Sequence, residues 1–164
     1  MPAKATLRPI GSKITMFGHP LHPAMIHFPV AALFGLVATD LAYLLTSDYF
    51  WARAGLWLSG VGALGGALSG CAGLADLILV RQIRRVITAW CHGILAVMLL
   101  SLASLNWLLR FSAGADTAIL PWGLYLSLLS GLLIGVTGFL GAQLVYEYAV
   151  GVDLEEAAGN RPDI

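Results

Sequence analysis

Four histidines stand in a chain that gives them little polar company, and three of them share one short string. Gly18-His19-Pro20-Leu21-His22-Pro23-Ala24-Met25-Ile26-His27-Phe28-Pro29 carries His19, His22 and His27, and His92 follows in a later apolar stretch. Imidazole is the commonest biological metal ligand, an axial ligand of haem and a proton carrier near neutral pH. Other ionisable groups stand in comparable settings: the carboxylate Asp76 lies five residues before Arg81, His92 itself lies seven after Arg85, and Glu147 follows the last apolar turn. Asp40 stands apart from these, with Arg53, Arg110 and Asn106 as candidate neutralising partners.

The elements that carry these groups are membrane spans. Of 164 residues 59% are hydrophobic and 11% charged, against about 25% charged in a soluble domain. Four apolar stretches, about 24–46, 54–80, 86–109 and 120–146, each exceed the ~20 residues that cross a bilayer as helix. They lack the alternation of barrel strands, and a spanning segment must satisfy its own backbone hydrogen bonds, so helices are expected. Ser47 to Arg53, Arg81 to Arg85 and Arg110 to Ile119 are short enough to be turns between antiparallel neighbours. The expected fold is all-α, an integral-membrane up-down four-helix bundle. Residues 1–18 form an N-terminal segment with no signal-peptide pattern, 19–152 the membrane domain and 153–164 a polar tail.

Seven Lys and Arg fall on the side of the N-terminus, second turn and tail, and two on the other side. The positive-inside rule therefore predicts both termini in the cytoplasm. Trp51, Trp57, Trp107 and Trp122 then fall near the outer interface and Trp90 near the inner one. His19 and His22, each followed by proline, are expected in an opening turn. His27, Asp76, His92 and Glu147 would lie within about 10 Å of the cytoplasmic face at ~1.5 Å per residue.

One group from each helix at one level is the set a metal site, a proton-handling site or an axial haem pair would need. The haem reading takes His27 and His92, with His22 and His19 as alternates, and gives Arg84, Arg85 and Lys13 to the propionates. The transition-metal reading takes His27, His92, Asp76 and Glu147. Against both stands simple helix-to-helix hydrogen bonding that fixes register. Gly62, Gly66 and Gly70, and Gly131, Gly135, Gly138 and Gly141, make small-residue faces for close packing, or a flat surface for a planar cofactor or a partner subunit, a second copy included.

Other chemistries fit poorly. The net charge is zero with no basic domain, so the electrostatic footprint of nucleic-acid binding is missing. Cys71 and Cys91 suggest neither a redox pair nor a disulfide framework. No serine or cysteine has a nucleophile context, and Cys91 and His92 diverge by about 100° on a helix. The chain is read as not an enzyme on its own.

The opening string, with Val30, resembles that of the bacterial membrane proteins grouped as domain of unknown function family 2231. The resemblance extends to Asp40, Gly73-Leu74-Ala75-Asp76, His92, Gly138-Phe139-Leu140-Gly141-Ala142-Gln143-Leu144-Val145-Tyr146 and Val150-Gly151-Val152, covering roughly 19–153. It implies a four-helix domain of the bacterial inner membrane with no settled activity. Relatives joined to Rieske or cytochrome modules imply an electron-transfer setting, but this chain carries no such module. The family pattern often has a histidine after Val-Tyr in the last helix, where Glu147-Tyr148 stands here. Three functions follow as expectations: a redox component binding b-type haem or a metal, a non-catalytic accessory subunit, and a small proton or ion carrier.

Overall fold

The computed structural model describes residues 9–152. Lys4, Arg8 and Arg161, which enter the charge count above, lie outside that range, as does the tail 153–164. Four long helices dominate: α1 (Leu21–Thr46), α2 (Tyr49–Leu79), α3 (Ile87–Ala113) and α4 (Leu124–Tyr146). All four spans are apolar and long enough to cross a bilayer. Sequence neighbours pack together and α1 against α4 closes the ring. Thus α1 and α3 stand on one diagonal of the bundle, α2 and α4 on the other.

The helices begin and end where local chemistry permits, and in four places not where sequence alone puts them. Between α1 and α2 only Ser47 and Asp48 remain outside helix: Ser47 adopts φ 54°, and the Asp48 side chain accepts from the amide of Phe50 at 2.9 Å. Such an N-cap satisfies one of the amides a helix start leaves open. Arg53 therefore sits in α2, exposed, rather than in a turn. Arg110, expected in the third turn, lies inside α3, because its charge is neutralised within the bundle and the helix need not stop there. Conversely α4 starts later than expected. Leu120, the residue before Pro121, is extended (φ −108°, ψ 136°) within a π turn, Ile119–Gly123, as the clash with a following proline ring favours.

At the other end α1 starts at Leu21, so His22 and Pro23 belong to its first turn and not to a preceding loop. A proline there sacrifices no helical hydrogen bond, and the bonds His22 makes to α2, described below, outweigh its local preference against helix. Residues 9–20 fold back under the bundle. A two-residue hairpin pairs β1 (Thr15–Met16) with β2 (His19–Pro20), with Phe17 and Gly18 at positive φ in its tip. Ile10 donates to the Ala149 carbonyl at 3.0 Å and accepts from the Gly151 amide at 2.8 Å. The N-terminal segment is thereby tied to the chain that leaves α4.

Three buried clusters stack along the bundle. Leu33, Leu36, Ala63, Ala103 and Ile134 form the middle. Leu77, Val80, Ile83, Ala89 and Leu144 close the end bearing the N-terminal hook, and Ala52, Ala115 and Ile119 close the other. Outward, the surface is apolar: Phe28, Leu68, Val97, Phe111, Leu132 and Phe139 are all more than half exposed. A soluble monomer does not carry so continuous an apolar coat. The chain is a membrane protein, and its outer surface fits contact with lipid. Of the tryptophans, Trp57 and Trp122 are outward-facing, whereas Trp107 turns inward over Gly60.

The small-residue pattern is used unevenly. At Gly62 a methyl group would lie 2.6 Å from Leu33 Cγ; at Gly66 the nearest side chain is Leu100 at 3.5 Å, and at Gly70 nothing lies within 4 Å. Only Gly62 is required by the α1–α2 approach. Gly62→Ala is expected to lower stability by about 1–3 kcal/mol through overpacking, while Gly70→Ala stays within about 0.5 kcal/mol; thermal unfolding in detergent compares the two.

Candidate functional site

Polar side chains inside the bundle gather in two layers. In the layer next to the N-terminal hook, the His22 ring reaches from α1 to α2. Its Nδ1 lies 2.8 Å from the Ser69 carbonyl and 3.0 Å from Ser69 Oγ, which also donates to the His22 carbonyl at 3.3 Å. From the opposite corner, His92 of α3 places Nδ1 2.9 Å from the Thr137 carbonyl of α4. A carbonyl only accepts, so both Nδ1 atoms carry a proton, and in a neutral imidazole that leaves the lone pair on Nε2.

The two rings meet across the bundle, with centroids 6.2 Å apart and planes at 83°. Each is seated against a glycine. A methyl group on Gly73 would come within 2.9 Å of His22 Nδ1, and one on Gly141 within 3.3 Å of His92 Cε1. These glycines, together with Ser69 and Thr137, are site residues that sequence reasoning missed. The Gly141 signal was present but read as helix packing; the carbonyl partners had no signal at all, because backbone acceptors do not show in residue types.

The remaining candidates are placed elsewhere. His27 is exposed on the outer face of α1: five residues beyond His22, it is rotated by roughly 140° about the helix axis. His19 is exposed in the hairpin, its Nδ1 2.9 Å from the Phe17 carbonyl. Asp76 is buried but occupied, accepting from Ser12 Oγ (2.5 Å) and from the amides of Lys13 (2.7 Å) and Ile14 (3.0 Å). Glu147 is exposed and accepts from Gln143 Nε2 at 2.8 Å. Arg84 and Arg85 are exposed on the turn between α2 and α3. The set His27, His92, Asp76 and Glu147 is therefore not assembled, and among the described residues no three or more His, Cys, Asp or Glu side chains are grouped to hold a metal. Sequence depth placed them at similar heights; azimuth and the demands of the hook separate them.

At the far end of the bundle Asp40 and Arg110 form an ion pair, Oδ2 to Nη2 2.7 Å, with neither side chain exposed at all. Arg110 Nε donates to Asn106 Oδ1 at 2.8 Å. Asn106 Nδ2 in turn donates to Ser127 Oγ at 3.0 Å and to the Gly123 carbonyl at 3.1 Å. Ser127 Oγ lies 2.6 Å from Asp40 Oδ2 and closes the network. Three helices and the π turn are joined by it.

A family model described as "Predicted membrane protein (DUF2231)" matches residues 18–154. The chain belongs to that family. For DUF2231 the match spans both polar layers and all four helices, so the His22–His92 pair and the Asp40–Arg110 pair both lie within the family domain. Neither a curated protein nor a solved structure matches the chain.

The ion pair makes a clear prediction. Arg110→Met strands a buried carboxylate and is expected to cost about 3–5 kcal/mol, whereas adding Asp40→Leu in the same chain restores much of the loss, because a pair replaced by apolar residues no longer leaves a charge alone. Melting of the single and double variants in detergent decides it; equal losses in the two would refute the argument.

Proposed function

We propose that this protein is a redox component of the bacterial inner membrane that holds b-type haem, or failing that another transition metal, between His22 and His92. Both termini would face the cytoplasm, and electrons would pass to or from a partner membrane protein rather than to a substrate of the chain's own. The observation that carries this reading is the imidazole pair. His22 and His92 would be the residues that hold the group: their rings come from opposite corners of the bundle to 6.2 Å between centroids, with planes at 83°.

The surroundings support the same reading. A ligating histidine commonly donates its second ring N–H to a carbonyl, which fixes the tautomer and raises the basicity of the ligating nitrogen. Ser69 and Thr137 supply such carbonyls. Haem, when bound, would supply a one-electron couple. The chain's own contribution would be to orient the two rings, keep their Nε2 atoms unprotonated and surround them with low-dielectric helix. Arg84, Arg85 and Lys13, exposed at the same end, are the cations available to cofactor carboxylates there. With Arg110 consumed inside the bundle, Arg53 is the one exposed cation among the described residues at the far end, which supports the assigned orientation.

A carrier of protons or ions is less well supported. Leu33, Leu36, Ala63, Ala103 and Ile134 lie between the two polar layers on every helix, each at most 4% exposed, and beside them only Ser130 on α4 brings a buried hydroxyl without a hydrogen-bond partner among the described residues. An accessory role has one observation in its favour: Gly135 and Gly138 face outward from α4 with no side chain within 4 Å. A partner membrane protein or a second copy could approach closely there. Gly135→Leu should then abolish co-purification while leaving the His22–His92 pair intact.

The deciding experiment is an oxidised and reduced absorption spectrum, with metal analysis, on detergent-purified chain. A Soret band is expected, lost in His22→Ala and in His92→Ala separately and kept in His27→Ala and His19→Ala. Gly73→Val and Gly141→Val are expected to reduce cofactor retention at least severalfold by displacing an imidazole. Absence of both a Soret band and stoichiometric metal from the unaltered protein would end this reading.

A further inference from the structure

The Asp40–Arg110 pair is incompletely satisfied. Asp40 Oδ1 and Arg110 Nη1 are both buried and have no hydrogen-bond partner among the described residues, although their side chains are wholly inaccessible. In a hydrocarbon setting such atoms are expensive to leave bare, and ordered water is one of the few agents that reaches them.

Both atoms face the same place. The position a methyl group would take on Gly55 lies 2.8 Å from Arg110 Nη1, 3.3 Å from Thr39 Oγ1 and 3.4 Å from Asp40 Oδ1, and these three are its nearest neighbours. All are polar. The Thr39 hydroxyl proton is committed to the Leu36 carbonyl at 2.9 Å, so its oxygen is left as an acceptor. Beside the bare face of Gly55, then, one donor and two acceptors converge.

We infer that one internal water molecule binds over Gly55, bridging Arg110, Asp40 and Thr39. Its oxygen accepts from Arg110 Nη1, one proton goes to Asp40 Oδ1 and the other to Thr39 Oγ1. Three hydrogen bonds is the usual complement of a buried water. Both hydrogens of the water are used and the two orphan atoms each acquire a partner, one of the two Nη1 hydrogens being taken up in this way. Gly55 has a specific part in this, because any side chain there would occupy the approach of the guanidinium. The pair is thus a four-helix polar joint completed by solvent, with α2 contributing space where α1, α3 and α4 contribute side chains.

The test uses the full chain in lipid bilayers with arginine labelled with nitrogen-15, and proton-detected solid-state NMR that reads magnetisation transfer from water to guanidinium nitrogens. Arg53, exposed at the surface, serves as the freely hydrated control. Transfer from a slowly exchanging water to one Arg110 Nη is expected, and Gly55→Ala should reduce it at least severalfold while the Arg110 hydrogen bond to Asp40 persists. Thr39→Val, which removes one acceptor with little change of shape, should weaken the same signal. Should Gly55→Ala fail to fold, the unaltered protein alone decides: no water transfer to Arg110, or a direct Nη1 to Oδ1 bond in an experimental structure, overturns the inference.

Discussion

A polar group surrounded by hydrocarbon must find its partner inside the protein, and this requirement organises the molecule. Each of the four helices spends a small part of its inward face on such groups and the rest on Leu, Ile, Ala and Gly. The polar positions coincide at two heights. At one, an ion pair with its Asn and Ser neighbours binds α1, α3 and α4; at the other, two histidines bind α1 to α2 and α3 to α4 through backbone carbonyls. Between them an apolar middle layer sets the helices close and keeps the two layers apart.

The two layers differ in what they leave over. The ion-pair layer is directed inward, its strongest groups turned on one another and its charge balanced. Such a cluster secures register, because sliding any one helix would strand a charge. In the histidine layer the second ring nitrogen of each imidazole has no hydrogen-bond partner among the described residues, and it is on this difference that the proposed function rests.

The hook at the end of the bundle connects the site to the termini. Asp76, one turn beyond Gly73, holds residues 12–14 through two amides and a hydroxyl, and the chain then runs through the hairpin directly into His22. Ile10 meanwhile joins the segment that leaves α4. A carboxylate that looked from sequence like a metal ligand is thus a backbone acceptor, one that fixes where α1 begins and so where its first histidine stands.

From the sequence alone came the solvent, the number of spans and their approximate limits, since these depend on composition and length and on nothing remote. The family resemblance, resting on contiguous residues, was equally legible. The sequence also marked His92 and the opening histidines as the groups to watch. It put His27 ahead of His22 on depth alone, whereas which of them faces the bundle turns on the azimuth of α1, and the proline-rich start concealed that His22 was already helical. Arg110 reads from sequence as the start of a turn because a lone arginine in an apolar run looks like a boundary, although it was one of the partners offered for Asp40; that the two pair within the helical run is decided by packing. Heights along a membrane helix follow from counting; the direction in which a side chain points, and whether a neighbour has already claimed it, follow only from the packing of all four helices together.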